Sequence, residues 1–124
     1  MTYRTWLPAL AFLALALSAL ASPAFSEDRE AMEVVDSEYV CMVNDAVYDK
    51  KQVHVQVEGK DYYGCCEMCK ERLAKDAALR VGVDPVSGKE VDKATAVIGA
   101  DSYKRVFYFE NAKNFEKFKE AAKK

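Results

Sequence analysis

The sequence predicts an α+β protein made of two small β-hairpin-plus-helix units packed together, and three observations carry that expectation. Val53, Val55 and Val57 alternate with His54 and Gln56, the period-two pattern of a half-buried strand. The run from Cys65 to Lys75 consists almost wholly of good helix formers and directly follows an extended aromatic pair, Tyr62-Tyr63. The order knuckle, strand, turn, aromatic strand, helix then recurs further along the chain, the kind of internal repeat that decides an architecture.

The elements follow in order. The chain has 124 residues, room for one domain or two very small units. From Trp6 to Ala21 it carries no charge; Arg4 stands before this run, and Ala19, Ala21, Ser22, Ala24 and Ser26 supply small residues at its end. That is the order of a secretory signal over residues 1–26. Cleavage after Ala21 or Ser26 satisfies the small-residue rule, and Ser26 is preferred because Pro23 breaks the apolar helix upstream. An uncleaved anchor is the rival, but a run of about 16 residues falls short of the roughly 20 needed to cross a bilayer. No cysteine lies at the cleavage zone to carry a lipid anchor. The expected product is secreted across the inner membrane, periplasmic, and without a stable membrane anchor. Residues 27–40 are a lead-in, charged and loose through Glu33, with structure beginning near Val34-Val35.

The first unit spans residues 41–80. Glu58-Gly59-Lys60-Asp61 supplies the turn between the valine strand and the tyrosine strand, and the hairpin delivers the chain into the helix. Val81 to Gly88 is a break, since Gly82, Asp84-Pro85 and Ser87-Gly88 are turn formers. The second unit spans residues 83–124. Thr95 to Ile98 forms a strand, Asp101-Ser102 a turn and Val106 to Phe109 a second strand. Asn111 caps a helix running to about Ala122 with Phe115, Phe118 and Ala122 on one face. Superposed, Tyr63 lies over Tyr108, Cys65 over Glu110, Cys69 over Asn114, Leu73 over Phe118 and Cys41 over Ser87. The tyrosines and phenylalanines form a shared core.

Charge narrows the partners. Without Arg4, 17 of the 18 basic residues remain against 20 acidic ones, a net of −3 for the expected mature chain. A nucleic-acid partner needs clustered positive potential and is not expected. Lys113, Lys117, Lys119, Lys123 and Lys124 interleave with Glu116 and Glu120 as a solvated helix face.

All four cysteines fall in the first unit: Cys41, then Cys65, Cys66 and Cys69. A hairpin returns Cys41 to the helix start, and Cys65 and Cys69 are one helical turn apart, so sulfurs from both places can converge. A helix N-terminus favours thiolate, the form that binds metal, and soft sulfur donors select copper(I), zinc or an iron–sulfur cluster. Met42 and Met68 are candidate thioether ligands that tilt the choice towards copper(I), with zinc the alternative. His54, on the polar face of its strand, is expected in solvent rather than on a metal.

The segment from Cys41 to Ala77, with Tyr62-Tyr63-Gly64-Cys65-Cys66-Glu67-Met68-Cys69-Lys70-Glu71-Arg72-Leu73, resembles the YHS/TRASH family of small treble-clef-like metal-binding domains. Val83 to Val91, followed by Tyr108-Phe109-Glu110-Asn111, is similar to the same family with its cysteines replaced, a degenerate copy. The resemblance implies trafficking, resistance or sensing of heavy metals, with Cys41, Cys65 and Cys69 at the metal positions. Cys66 stands where the family often has a small polar residue, so it is a fourth ligand or a bystander. The expected protein is a non-enzymatic carrier or buffer that exchanges its ion with a metal donor or acceptor protein.

Three rivals come from the cysteines themselves. Two disulfides are the usual state of four cysteines in a small exported domain, but three of these crowd into five positions, where bridges are strained or very short. A disulfide-stapled interaction module therefore stands second, with a structural zinc domain beside it. Cys66-Glu67-Met68-Cys69 matches the redox Cys-x-x-Cys pattern, but the chain is too short and wrongly ordered for a thioredoxin-like scaffold. No nucleophile triad, paired carboxylate site or phosphate loop is present to support hydrolysis.

Overall fold

The computed structural model describes residues 31–121, so the expected signal segment, the start of the lead-in and Ala122 lie outside it. Within that range the chain is α+β, with two helices and small antiparallel sheets. Strand β1 is Glu33–Val34, and a 3₁₀ turn covers Ser37–Tyr39. The first half continues with a knuckle of β2 (Val40–Cys41) and β3 (Ala46–Val47), a hairpin of β4 (Val53–Val57) and β5 (Lys60–Gly64), and helix α1 (Glu67–Lys75). The second half repeats that order: β6 (Val81–Val83) and β7 (Glu90–Asp92), then β8 (Val97–Ala100) and β9 (Val106–Phe109), then helix α2 (Ala112–Ala121).

Local chemistry accounts for most of these elements. Glu58 and Gly59 both take positive φ, 52° and 76°, the geometry of a two-residue turn whose twist matches its strands. The turn sets the β4–β5 register, with Val55 opposite Tyr62. Val55 and Tyr62 are buried while His54 and Gln56 are exposed, as the alternation requires. Arg80 closes α1 by donating to the carbonyl of Leu73 at 2.7 Å. Asn111 caps α2 as expected, its Oδ1 accepting the Asn114 amide at 2.9 Å.

Three details depart from expectation. The stretch from Val81, expected to be a break, contains β6, paired with β7 in the register Val81↔Asp92 to Val83↔Glu90. Asp84-Pro85 turns this pair rather than ending order at Val81, because Val81 and Val83 are β-branched and find strand partners across the turn. The strand expected to begin at Thr95 begins at Val97, because Asp92 Oδ1 accepts the Ala94 amide and holds residues 93–96 in a turn. The lead-in is not loose up to Glu33. Met32 is 1% exposed, packed with Phe109 and Phe115, and β1 adds to the second half's sheet in the order β1-β8-β9.

That strand exchange interlocks the halves. One core joins Val40, Met42, Val55, Tyr62 and Leu73 of the first half to Ile98, Ala100, Val106 and Tyr108 of the second. The smaller aromatic cluster under α2 holds Phe115, with Phe118 packed against it. Across the halves Lys60 pairs with Asp92 at 2.6 Å, and the Tyr62 hydroxyl donates to the same carboxylate at 2.8 Å.

The second knuckle has a polar pin. Asp84 is fully buried, and its carboxylate accepts the amides of Val86, Ser87 and Glu110 and the side-chain amide of Asn114. Burial pushes its pKa up, but these donors outweigh burial and hold it below the usual carboxylate value. A lowered folded value stabilises the protein above the unfolded carboxyl pKa and loses that effect as pH falls through the folded one. Asp84→Ala should therefore destabilise the fold by about 3 kcal/mol at neutral pH, read as a lower urea midpoint at unchanged slope. The difference between wild type and variant should shrink in acid, below the ordinary value of 3.8.

Candidate metal centre

Three sulfurs converge where the first knuckle meets the start of α1. The Sγ atoms of Cys41, Cys65 and Cys69 all lie within 4.8 Å of one another, and Cys65 and Cys69 are 3.5 Å apart. A metal–sulfur bond of ~2.3 Å places sulfurs about 4 Å apart around one shared ion, so the group is already near the required spacing. All four cysteines are free thiols. Among the described residues this is a group that could hold a metal ion.

Each sulfur is placed by backbone. Cys41 ends β2, opposite Ala46 in the knuckle, and is fully buried. Its Sγ accepts the amide of Cys65 at 3.3 Å, which ties the knuckle to the chain entering α1. The knuckle also reaches Cys65 directly, with Asn44 Nδ2 donating to its Sγ at 3.5 Å. Gly64 makes the close approach feasible: a Cβ there would stand 2.7 Å from the Cys69 Cβ and 3.1 Å from its carbonyl carbon. Residue 64 must be glycine for Cys69, 8% exposed, to tuck against β5.

Cys66 is the exposed member of the cysteine cluster. It stands at the N-cap of α1 with φ −158° and ψ 171°. Its thiol interacts with the side chains of Cys69 and Cys65 while open to solvent, whereas Cys65 is partly buried. Met42 joins the hydrophobic core, and Met68 is 70% exposed on α1. His54 hydrogen-bonds Asp61 at 2.7 Å on the exposed hairpin face and tilts against Tyr63. The structure thus brings Cys41, Cys65 and Cys69 together, with Cys66 touching that group from its exposed side, and places Met42 in the core, Met68 in solvent and His54 on the hairpin face.

The thiols differ from the simple helix-terminus expectation. Burial, helped by the Cys65 and Cys66 side chains, pushes the Cys69 thiol up to about 12. At Cys65 the hydrogen bond with Cys69 favours thiolate, but burial and the neighbouring Cys41 outweigh it and the pKa is raised. Only Cys66 is lowered, chiefly by the backbone amide of Cys69 and then by its side chain. The helix start acts on the exposed sulfur, while burial outweighs it at Cys65 and Cys69.

The second half repeats the site without sulfur. Glu110 N–H donates to Asp84 at 2.8 Å, as Cys65 N–H donates to Cys41. Asn114, at the Cys69 position, donates to Asp84 at 2.9 Å and to Glu110 at 3.3 Å. Asp84, rather than Ser87, takes the place of Cys41. An Asp-Pro pair reads as a turn in the sequence, which hides this equivalence; the usable signal is its position directly after the paired valine Val83, as Cys41 follows Val40.

No protein-family model, curated protein or solved structure matches this chain. The site therefore stands on its own geometry.

The raised thiols generate a pH prediction. A thiol with a higher pKa folded than unfolded stabilises the metal-free fold below the unfolded value near 9.0, and this support is lost as pH rises towards about 12. Metal-free protein should lose more stability across that window in chemical-denaturation scans than a metal-loaded sample, which is already deprotonated at sulfur and shares only the loss from its raised tyrosines. Metal uptake near neutral pH should release protons, so that apparent affinity falls about tenfold for each unit by which pH is lowered, per proton displaced.

Proposed function

We propose that this chain is an extracytoplasmic carrier or buffer of a soft metal ion, copper(I), held by the thiolates of Cys41, Cys65 and Cys69. One observation carries the reading: three cysteine sulfurs from two distant chain segments lie within 4.8 Å of one another. Three converging thiolates suit a soft ion, and a structural zinc site ordinarily closes with four protein ligands. Secretion through the segment 1–26 fits the same role, as does the resemblance of the cysteine segment to YHS/TRASH domains of treble-clef-like form. Cys65 is only partly buried, with Cys66 and Met68 exposed nearby, and this leaves a sulfur-lined side for exchange with a donor or acceptor protein.

The test is anaerobic copper(I) titration against a chromophoric chelator, using full-length secreted protein. Wild type should bind one ion, and Cys65→Ser or Cys69→Ser should weaken binding on the order of a hundredfold or more. Cys66→Ser should keep the stoichiometry and most of the affinity. Full affinity in both of the first two variants sinks the proposal. One tightly held zinc whose chelation unfolds the protein would favour a structural zinc domain. Absence of free thiols before and after denaturation would favour a disulfide-stapled module.

A further inference from the structure

We propose that Lys93, from the cysteine-free second half, is the positioning residue of the metal centre: it clamps the knuckle that presents Cys41. This rests on the metal reading above but draws on a different set of contacts. Lys93 is 5% exposed, well inside a protein whose other lysines mostly reach solvent. A buried ammonium needs partners for its charge and its donors, and both are on the knuckle. Its Nζ donates to the Met42 carbonyl at 2.7 Å and to Asp45 Oδ1 at 2.8 Å, two contacts on the turn that joins Cys41 to Ala46.

The second half grips the same knuckle in three more places. The Tyr108 hydroxyl donates to Asp45 Oδ1 at 2.8 Å, and the Tyr108 ring centroid lies 5.0 Å from the Lys93 ammonium. Val106 N–H donates to the Asp45 carbonyl at 3.0 Å, and Val47 N–H donates to the Lys104 carbonyl at 3.0 Å. Asp45 itself has φ 53°, a left-handed conformation that asparagine and aspartate tolerate better than most residues. A left-handed turn with a two-residue strand on each side has few means of holding its own shape. The lysine, the tyrosine and the β9 backbone supply what the turn lacks. The degenerate half thereby acquires a specific role, because it holds the ligand that is most distant in sequence from the other two.

Hydrogen-bonded groups behind metal ligands commonly set affinity by orienting them, and their loss costs about ten- to a hundredfold in metal binding. Lys93→Met removes the ammonium and keeps the length of the side chain. In metal-free full-length protein, mass-resolved alkylation should show Cys41 reacting about tenfold faster while Cys65 and Cys69 keep their wild-type rates. General destabilisation would accelerate all three together, and that outcome overturns the proposal. In copper(I)-loaded protein, X-ray absorption should show three sulfur neighbours falling to two, with affinity lowered about ten- to a hundredfold. Tyr108→Phe, which deletes one hydroxyl contact, and Asp45→Asn, which keeps an acceptor at a tolerated φ, should give smaller changes in the same direction. They decide the matter if Lys93→Met does not fold. Unchanged Cys41 protection and an intact three-sulfur site in the folded variants overturn the clamp. A wild type that binds no copper, together with faster Cys41 alkylation in Lys93→Met, would retain the clamp and remove the copper reading.

Discussion

The contact on which the rest of the site depends is the amide of Cys65 donating to the sulfur of Cys41 at 3.3 Å. It joins a knuckle to a helix start across more than twenty residues of chain, and it exists only because Gly64 lets α1 pass against β5 without a Cβ between them. Close backbone approach of this kind is what glycine permits and other residues obstruct. With that approach made, the hairpin register and the first turn of α1 bring Cys69 to the same point. A wider crossing would leave Cys41 on the knuckle apart from the thiols at the helix start.

The two halves solve one structural problem with different chemistry. Each knuckle end must be held to the start of the following helix through a buried acceptor for a backbone N–H. In the second half the acceptor is the Asp84 carboxylate, and Asn114 and two knuckle amides complete its hydrogen bonding. That junction is satisfied by the polypeptide alone. In the first half the acceptor is sulfur, a weak hydrogen-bonding group, and the three thiols turn towards one another. A metal ion would give those sulfurs the strong ligation that oxygen and amide supply in the other half. The two halves thus contrast a junction satisfied by the polypeptide alone with one whose three sulfurs could hold an ion.

The halves are not independent pieces. The lead-in strand β1 extends the second half's sheet, the main core takes residues from both, and the second half grips the knuckle of the first through Lys93, Tyr108 and the β9 backbone. A small domain buries too little surface to stabilise two separate folds of this size, so a shared core is the economical arrangement. In consequence the order of the second half bears directly on where Cys41 sits.

The sequence by itself determined everything set by short spacings. The valine alternation of β4, the Glu58-Gly59 turn, the helix after Cys65, the Asn111 cap and the doubled order of elements are local, because they depend on residues two to four apart. Crowding of three cysteines at one helix start already marked the region of the site. Tertiary structure decided which of those sulfurs meet. Cys65 and Cys66 are adjacent in sequence, but Cys65 is partly buried within the three-sulfur group and Cys66 stands exposed at its edge. Met42 went to the core and Met68 to solvent, Asp84 took the place expected for Ser87, and burial overrode the helix terminus at Cys65 and Cys69. Each of these outcomes turns on which way a backbone faces and on what packs against it after long-range closure. Residue spacing carries no record of either.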